Sequence, residues 1–146
     1  MAKQVTKTSE FRALFASTRT IAVVGAHSEP SRAAYYVPEY LFEQGFRIIA
    51  VNPSQVGMLM WGEPAYATLA EIPGPVDVVC VFRRSDKVGD HTKDLLAMAH
   101  RPTTVWLQLG ITNQPFAARM VAEGIDVVQD RCMLVEHKAL GLGATG

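Results

Sequence analysis

The stretch IAVVGAHSEPSR, residues 21–32, sets the reading of the whole chain. Ile21, Ala22, Val23 and Val24 run without a polar break and stop at Gly25. A short unbroken apolar run closed by a turn residue reads as a strand buried on both faces. After Gly25 comes a long polar turn, Ala26-His27-Ser28-Glu29-Pro30-Ser31-Arg32. Residues 33–45, AAYYVPEYLFEQG, then place Val37, Leu41 and Phe42 on one helical face, with Gly45 as the stop. Pro38 either belongs to the first turn of a helix that begins near Val37, or sits within a longer helix and bends it.

The same alternation continues downstream. RIIAVNP (47–53), VDVVCVF (76–82), TTVWLQLG (103–110) and IDVVQD (125–130) read as four more strands. Helices are expected at residues 85–100, at NQPFAARMVAEG (113–124), with Asn113 as cap and Gly124 as stop, and at CMLVEHKAL (132–140). Residues 54–75 read as irregular, with a short helix at ATLAEI (67–72). Upstream, FRALFAST (11–18) predicts an N-terminal helix capped near Thr8 or Ser9. Helix and strand alternate five times, which predicts an α/β, doubly wound, Rossmann-like domain with a five-stranded parallel sheet of order 3-2-1-4-5. In that order the winding reverses between strands 1 and 4. A ligand site is expected there, at the carboxyl ends of the strands, on residues 25–32, 52–54, 82–87, 108–112 and 130–132. The domain is expected over residues 20–146, with 1–19 as a helical segment packed on it.

Bulk composition narrows the function. The chain has 146 residues, 49% of them apolar, enough for one packed core. Lys and Arg number 14 and so do Asp and Glu, giving zero formal charge. That argues against nucleic acid as a partner. No apolar run is long enough to span a membrane, and MAKQVTKTSEFRALF lacks a secretory leader pattern, so a cytoplasmic protein is expected. Cys80 and Cys132 form no CxxC pair and suggest neither a disulfide framework nor a metal site.

The expected site is suited to an anion. Gly25 allows a tight turn beside a helix start, where backbone N–H groups and the helix dipole favour negative charge. Ser28 and Ser31 carry hydroxyl donors, and Arg32 carries a phosphate-matching fork. A nicotinamide dinucleotide is disfavoured. The G-x-G-x-x-G spacing is broken by His27 and Pro30, and no acid follows strand 2 to hold the ribose hydroxyls. Asn52-Pro53 stands there instead, and a neutral Asn tolerates an extra phosphate near an adenosine ribose. VFRRSDK adds Arg83, Arg84 and Lys87 to the same edge. Catalytic signatures are lacking: there is no P-loop, G-x-S-x-G elbow or H-E-x-x-H. His27 reads as a polar contact or a solvated residue, His91 and His100 as surface residues, and His137 as structural or exposed. Cys80 reads as core. Cys132 is either a small core residue or a nucleophile at a helix N-terminus.

IAVVGAHSEPSRAAYYV, VNP, DVVCVFRRSD, TVWLQLGITN and VVQDRCMLVEHKAL, taken together, resemble the small stand-alone CoA-binding proteins, which are similar to the CoA-binding domain of the succinyl-CoA synthetase α subunit. The likeness runs from about Thr20 to Leu140. It implies CoA as the ligand, with Gly25, Ala26, His27 and Ser28 at the diphosphate, helped by Ser31 and Arg32. It further implies Asn52 and Pro53 beside the adenosine, Phe82 and Arg83 at the adenine and phosphate edge, and Gln108 and Gly110 along the pantetheine arm. Arg131 and Cys132 would lie towards the thiol. Cys80 departs from an acidic residue common in relatives, within a strand. The resemblance implies a ligand but no reaction, because the synthetase adds a second domain with a phosphorylated histidine, which is not expected here. Three functions follow: a non-catalytic module that binds or senses CoA or acyl-CoA, an enzyme acting on a CoA thioester or CoA disulfide through Cys132, and an NAD(H)-binding redox sensor.

Overall fold

The computed structural model describes residues 1–142; the last four positions of the span expected as the domain, 143–146, lie outside the described residues. The elements run α1 (Thr8–Ser17), β1 (Thr20–Val24), α2 (Ala33–Glu43), β2 (Arg47–Val51), β3 (Leu59–Met60), β4 (Glu63–Pro64), β5 (Val78–Val81), α3 (Thr92–Leu96), β6 (Thr104–Leu107), α4 (Gln114–Ala122), β7 (Asp126–Val128) and α5 (Met133–Leu140). β1, β2, β5, β6 and β7 form one parallel sheet, with Val24 level with Val51 on one side and Val81 on the other. The five apolar runs are thus the five strands, and the α/β doubly wound class stands. β1, β5 and β6 are buried along their whole length, which is why their sequences are continuously apolar rather than alternating.

Successive side chains of a strand point to opposite faces. Ile21, Val23, Ile48, Ala50, Cys80 and Trp106 meet Phe11 and Phe15 of α1, Val37 and Leu41 of α2, and Met133 of α5. Ala22, Val24, Ile49, Val51, Val81 and Leu107 meet Leu69 and Ile72, Leu95 of α3, and Phe116, Ala117 and Met120 of α4. Helices therefore cover both faces.

The strand order corrects the expectation. Numbering only the parallel strands, it is 2-1-3-4-5, not 3-2-1-4-5, because β5 pairs with β1 and not with β2. The cause lies in residues 52–77. Their apolar residues Leu69, Ile72 and Val76 pack on the face opposite α2. A right-handed crossover on the opposite face must run in the opposite direction, so the chain passes back over β1. The winding reverses between β1 and β5, and the gap beside Gly25 lies there.

Three local features differ from the sequence reading. Residues 54–75 contain a hairpin, β3–β4, closed by Trp61 and Gly62, both at positive φ (52° and 83°). Two such residues make the turn that matches strand twist. The helix expected at 67–72 is a single 3₁₀ turn, Leu69–Glu71, capped reciprocally by Thr68 and Glu71. Residues 85–100 form a 3₁₀ segment, Ser85–His91, running into the five-residue α3. The helix 33–45 takes the longer of its two alternatives, with Pro38 inside it. Among the described residues, no helix is long and apolar enough to cross a membrane.

Candidate functional site

The loop after β1 is fixed by its backbone. Gly25 has φ 85°, and its N–H donates to the Val51 carbonyl at 2.8 Å. A Cβ there would stand 2.3 Å from the Phe82 carbonyl oxygen, so only glycine lets β1 and β5 approach this closely at their ends. Ala26 is fully buried, and its carbonyl accepts the Asn52 Nδ2–H at 3.0 Å. Asn52 Oδ1 accepts from the Ser54 N–H and hydroxyl, both at 3.0 Å. Asn52 thereby ties the end of β2 to the loop after β1.

The His27 N–H donates to the Ala34 carbonyl at 3.2 Å, and His27 Nδ1 accepts the Glu29 N–H at 3.0 Å. In an uninterrupted helix the Ala34 carbonyl would take the N–H of residue 38, but that residue is Pro38 and has none. The proline thus releases the acceptor that holds His27. Ser31 donates its hydroxyl to Glu29 Oε1 at 3.2 Å. Of the loop residues, Ala26 and Ser28 keep their backbone N–H groups without a partner among the described residues, and Arg32, exposed at the start of α2, has no ion pair among them.

Beside this loop lies a cleft of about 500 Å³. Its floor is Val24, Gly25, Val51 and Pro53, and its walls carry Thr68, Arg83, His91 and Lys93. Asp90 and Asp94 line it as well. Asp94 is committed: its carboxylate accepts the Leu69 N–H at 2.8 Å and the Ala70 N–H at 2.9 Å. Of the basic run after β5, Arg84 pairs with Asp86 at 3.2 Å, and only Arg83 lines the cleft. Phe82 lies elsewhere, packed against the layer of α1, α2 and α5. His91 corrects the surface assignment made from sequence. It is half-buried in the cleft wall, and its Nε2 is buried with no hydrogen-bond partner among the described residues. Burial holds its imidazole below the usual pKa, and the nearby Arg83 guanidinium acts in the same direction.

A loop fixed at a winding reversal, beside a cleft with free cations, is the arrangement expected of a nucleotide site. Comparison with known proteins says which kind: the profile of the CoA binding domain matches residues 19–138. The chain belongs to the CoA binding domain family. It is 32% identical over 129 residues to the uncharacterized protein YneT of Bacillus subtilis (strain 168), covering 88% of this chain and 93% of that one. A solved Thermus thermophilus structure, cell-free ID.343, superposes with a TM-score of 0.88 at 47% identity, over 92% of this chain and 99% of that one. The dinucleotide-forming acetyl-coenzyme A synthetase 1 of Ca. Korarchaeum cryptofilum, in complex with phosphate and ADP, shares the fold. Its TM-score is 0.60 at 24% identity, over 74% of this chain and 25% of the synthetase.

In this CoA binding domain the remaining expected residues stand apart from the cleft. Gln108 is buried, and its Nε2 donates to the Cys80 sulfur at 3.1 Å. Burial pushes the Cys80 thiol pKa far up, as a core cysteine requires. The Gly110 N–H donates to Asp130 Oδ1 at 2.6 Å, which joins the loops after β6 and β7. Cys132 caps α5 and shares a second, smaller cleft with Leu109, Asp130, Arg131, Val135 and Glu136. Glu136 pairs there with Arg131 at 3.3 Å. His137 points away, bonded through Nδ1 to the Tyr40 hydroxyl at 2.7 Å. Thr68, His91 and Lys93 escaped the sequence reading. The one available signal was Thr68-x-x-Glu71, a capping box that places Thr68 at the start of a turn.

Proposed function

We propose that this protein binds CoA or a short acyl-CoA and acts as a non-catalytic binding or sensing module. The observation that carries this is the pairing of the rigid 25–32 loop with the cleft at the β1–β5 reversal, in a chain of the CoA binding domain family. The diphosphate lies against the free Ser28 N–H and the start of α2, with Arg32 above it. The adenosine enters the cleft between Pro53 and Arg83. The pantetheine runs along the sheet edge past Gly110 towards Cys132. Gly25, His27, Asn52 and Ser31 act mainly by shaping the loop, since the Gly25 and His27 N–H groups serve backbone carbonyls, Asn52 holds the Ala26 carbonyl, and Ser31 bonds Glu29. Ala26 adds a further N–H at the diphosphate.

Among the described residues, thiol chemistry at Cys132 finds no partner that would act as base. Glu136 faces Arg131, and His137 is bonded to Tyr40. Isothermal titration with CoA and NAD in parallel tests the reading. CoA should bind at least about tenfold more tightly, because β2 ends in Asn52 with no carboxylate for a free ribose diol. Equal or tighter NAD binding overturns it.

A further inference from the structure

The two cations of the cleft wall lack partners among the described residues. Arg83 and Lys93 line the cleft, and neither forms an ion pair among the described residues, although Arg84, next in sequence, pairs with Asp86. In the same cleft His91 presents a half-buried ring whose Nε2 has no partner among the described residues. The Asn52 amide, which also lines the cleft, is engaged with Ala26 and Ser54 and carries no charge. Of the two carboxylates, Asp94 is taken up by the Leu69 and Ala70 N–H groups, which leaves Asp90. The cleft is thus an apolar slot, floored by Val24, Val51 and Pro53, with unpaired cationic donors on the wall formed by α3 and the segment before it.

CoA carries two phosphate groups in different places: the diphosphate that bridges to pantetheine, and a monophosphate on the ribose 3′-oxygen. The loop at residues 25–32 accounts for the first. We infer that Arg83, His91 and Lys93 form a separate subsite for the ribose 3′-phosphate, so that this protein distinguishes CoA from dephospho-CoA. The inference rests on the CoA reading above and adds the element that selects within that ligand class. A phosphate dianion takes the Arg83 fork and the Lys93 ammonium in charge-assisted bonds. It also supplies an acceptor for His91 and favours its protonated form, opposing the burial that depresses it. Asp90 and Asp94 face the same ring and favour its charged form; the Arg83 guanidinium opposes it until the phosphate neutralises that charge.

Titration of the protein with CoA and dephospho-CoA, for the natural chain and for Arg83→Gln, Lys93→Gln and Asp90→Asn, tests the subsite. The natural chain should prefer CoA by about 10- to 100-fold. The preference should shrink in Arg83→Gln and Lys93→Gln, because CoA loses more affinity than dephospho-CoA. It should grow in Asp90→Asn, which removes a like charge from the wall. All three side chains are exposed, so the fold tolerates the changes. Equal affinity for the two ligands overturns the subsite and leaves the CoA reading intact. A preference that survives both cation substitutions also overturns it. Failure of both ligands to bind overturns the CoA reading itself and the subsite with it.

Discussion

Gly25 is the residue on which the site's geometry turns. Its positive φ of 85° and the 2.3 Å approach of a would-be Cβ to the Phe82 carbonyl are two separate penalties. Gly57 has a similar φ of 96° but open space around it. Gly57→Ala should therefore lose about 1 kcal/mol, the left-handed backbone penalty alone. Gly25→Ala should lose about 2–4 kcal/mol, since β1 and β5 must also separate. Urea unfolding of the two variants reads the difference, and equal losses would show that the close approach is easily relieved. Gly25 was legible in the sequence because a glycine ending an apolar run has few other uses. His91 was not. Its burial depends on the 3₁₀ segment Ser85–His91, whose side-chain phase follows neither the helical nor the strand period.

At the level of elements, His137 joins three helices. It is 1% exposed on α5, and it packs edge-on against Phe15 of α1 and Tyr40 of α2 while bonding the Tyr40 hydroxyl. Burial holds its pKa below the ordinary value of about 6.5. The unfolded chain therefore takes up this proton first as the pH falls. Stability is complete above about pH 6.5 and declines below it, by up to about 1.4 kcal/mol per pH unit, until the folded-state pKa is reached. His91 shifts in the same direction and adds to the slope. Unfolding measured from pH 7.5 to about pH 5 should show this decline, and His137→Gln should flatten it. An unchanged slope in the variant would assign the effect to other groups. The five strands and α4 were legible because apolar runs and an Asn113 cap are local signals; Asn113 Oδ1 does accept the Phe116 N–H at 3.0 Å. The Trp61-Gly62 turn was not, because tryptophan rarely adopts positive φ and gives no turn signal.

For the molecule as a whole, the strand order escaped sequence reading because it depends on which face residues 52–77 cover. Leu69, Ile72 and Val76 are apolar in either case, and only packing decides between the faces. The consequence for the site is direct: the reversal falls between β1 and β5, so α3 rather than a more distant helix walls the cleft. The N-terminal segment is equally a matter of packing. Val5 N–H donates to the Val127 carbonyl at 2.8 Å, extending the sheet beyond β7, and Phe11 and Phe15 cover the Trp106 ring at 5.2 and 5.8 Å between centroids. Removal of residues 1–18 should cost more than about 3 kcal/mol, the usual loss for a single buried phenylalanine. It should also shift Trp106 fluorescence to longer wavelength. A truncated chain with unaltered emission and unfolding midpoint would mean that the sheet holds together without this cover.

The partnership of His27 with the Ala34 carbonyl has a consequence for transplanting the loop. The conformation of residues 25–32 is encoded partly outside them, by a proline in the helix that follows. A host protein given only the loop would supply an N–H at the position of Pro38, and its helix would reclaim the carbonyl that His27 needs. The portable unit is therefore the loop together with its helix through Pro38, and Pro38→Ala places a helical and a loop donor in competition for one oxygen.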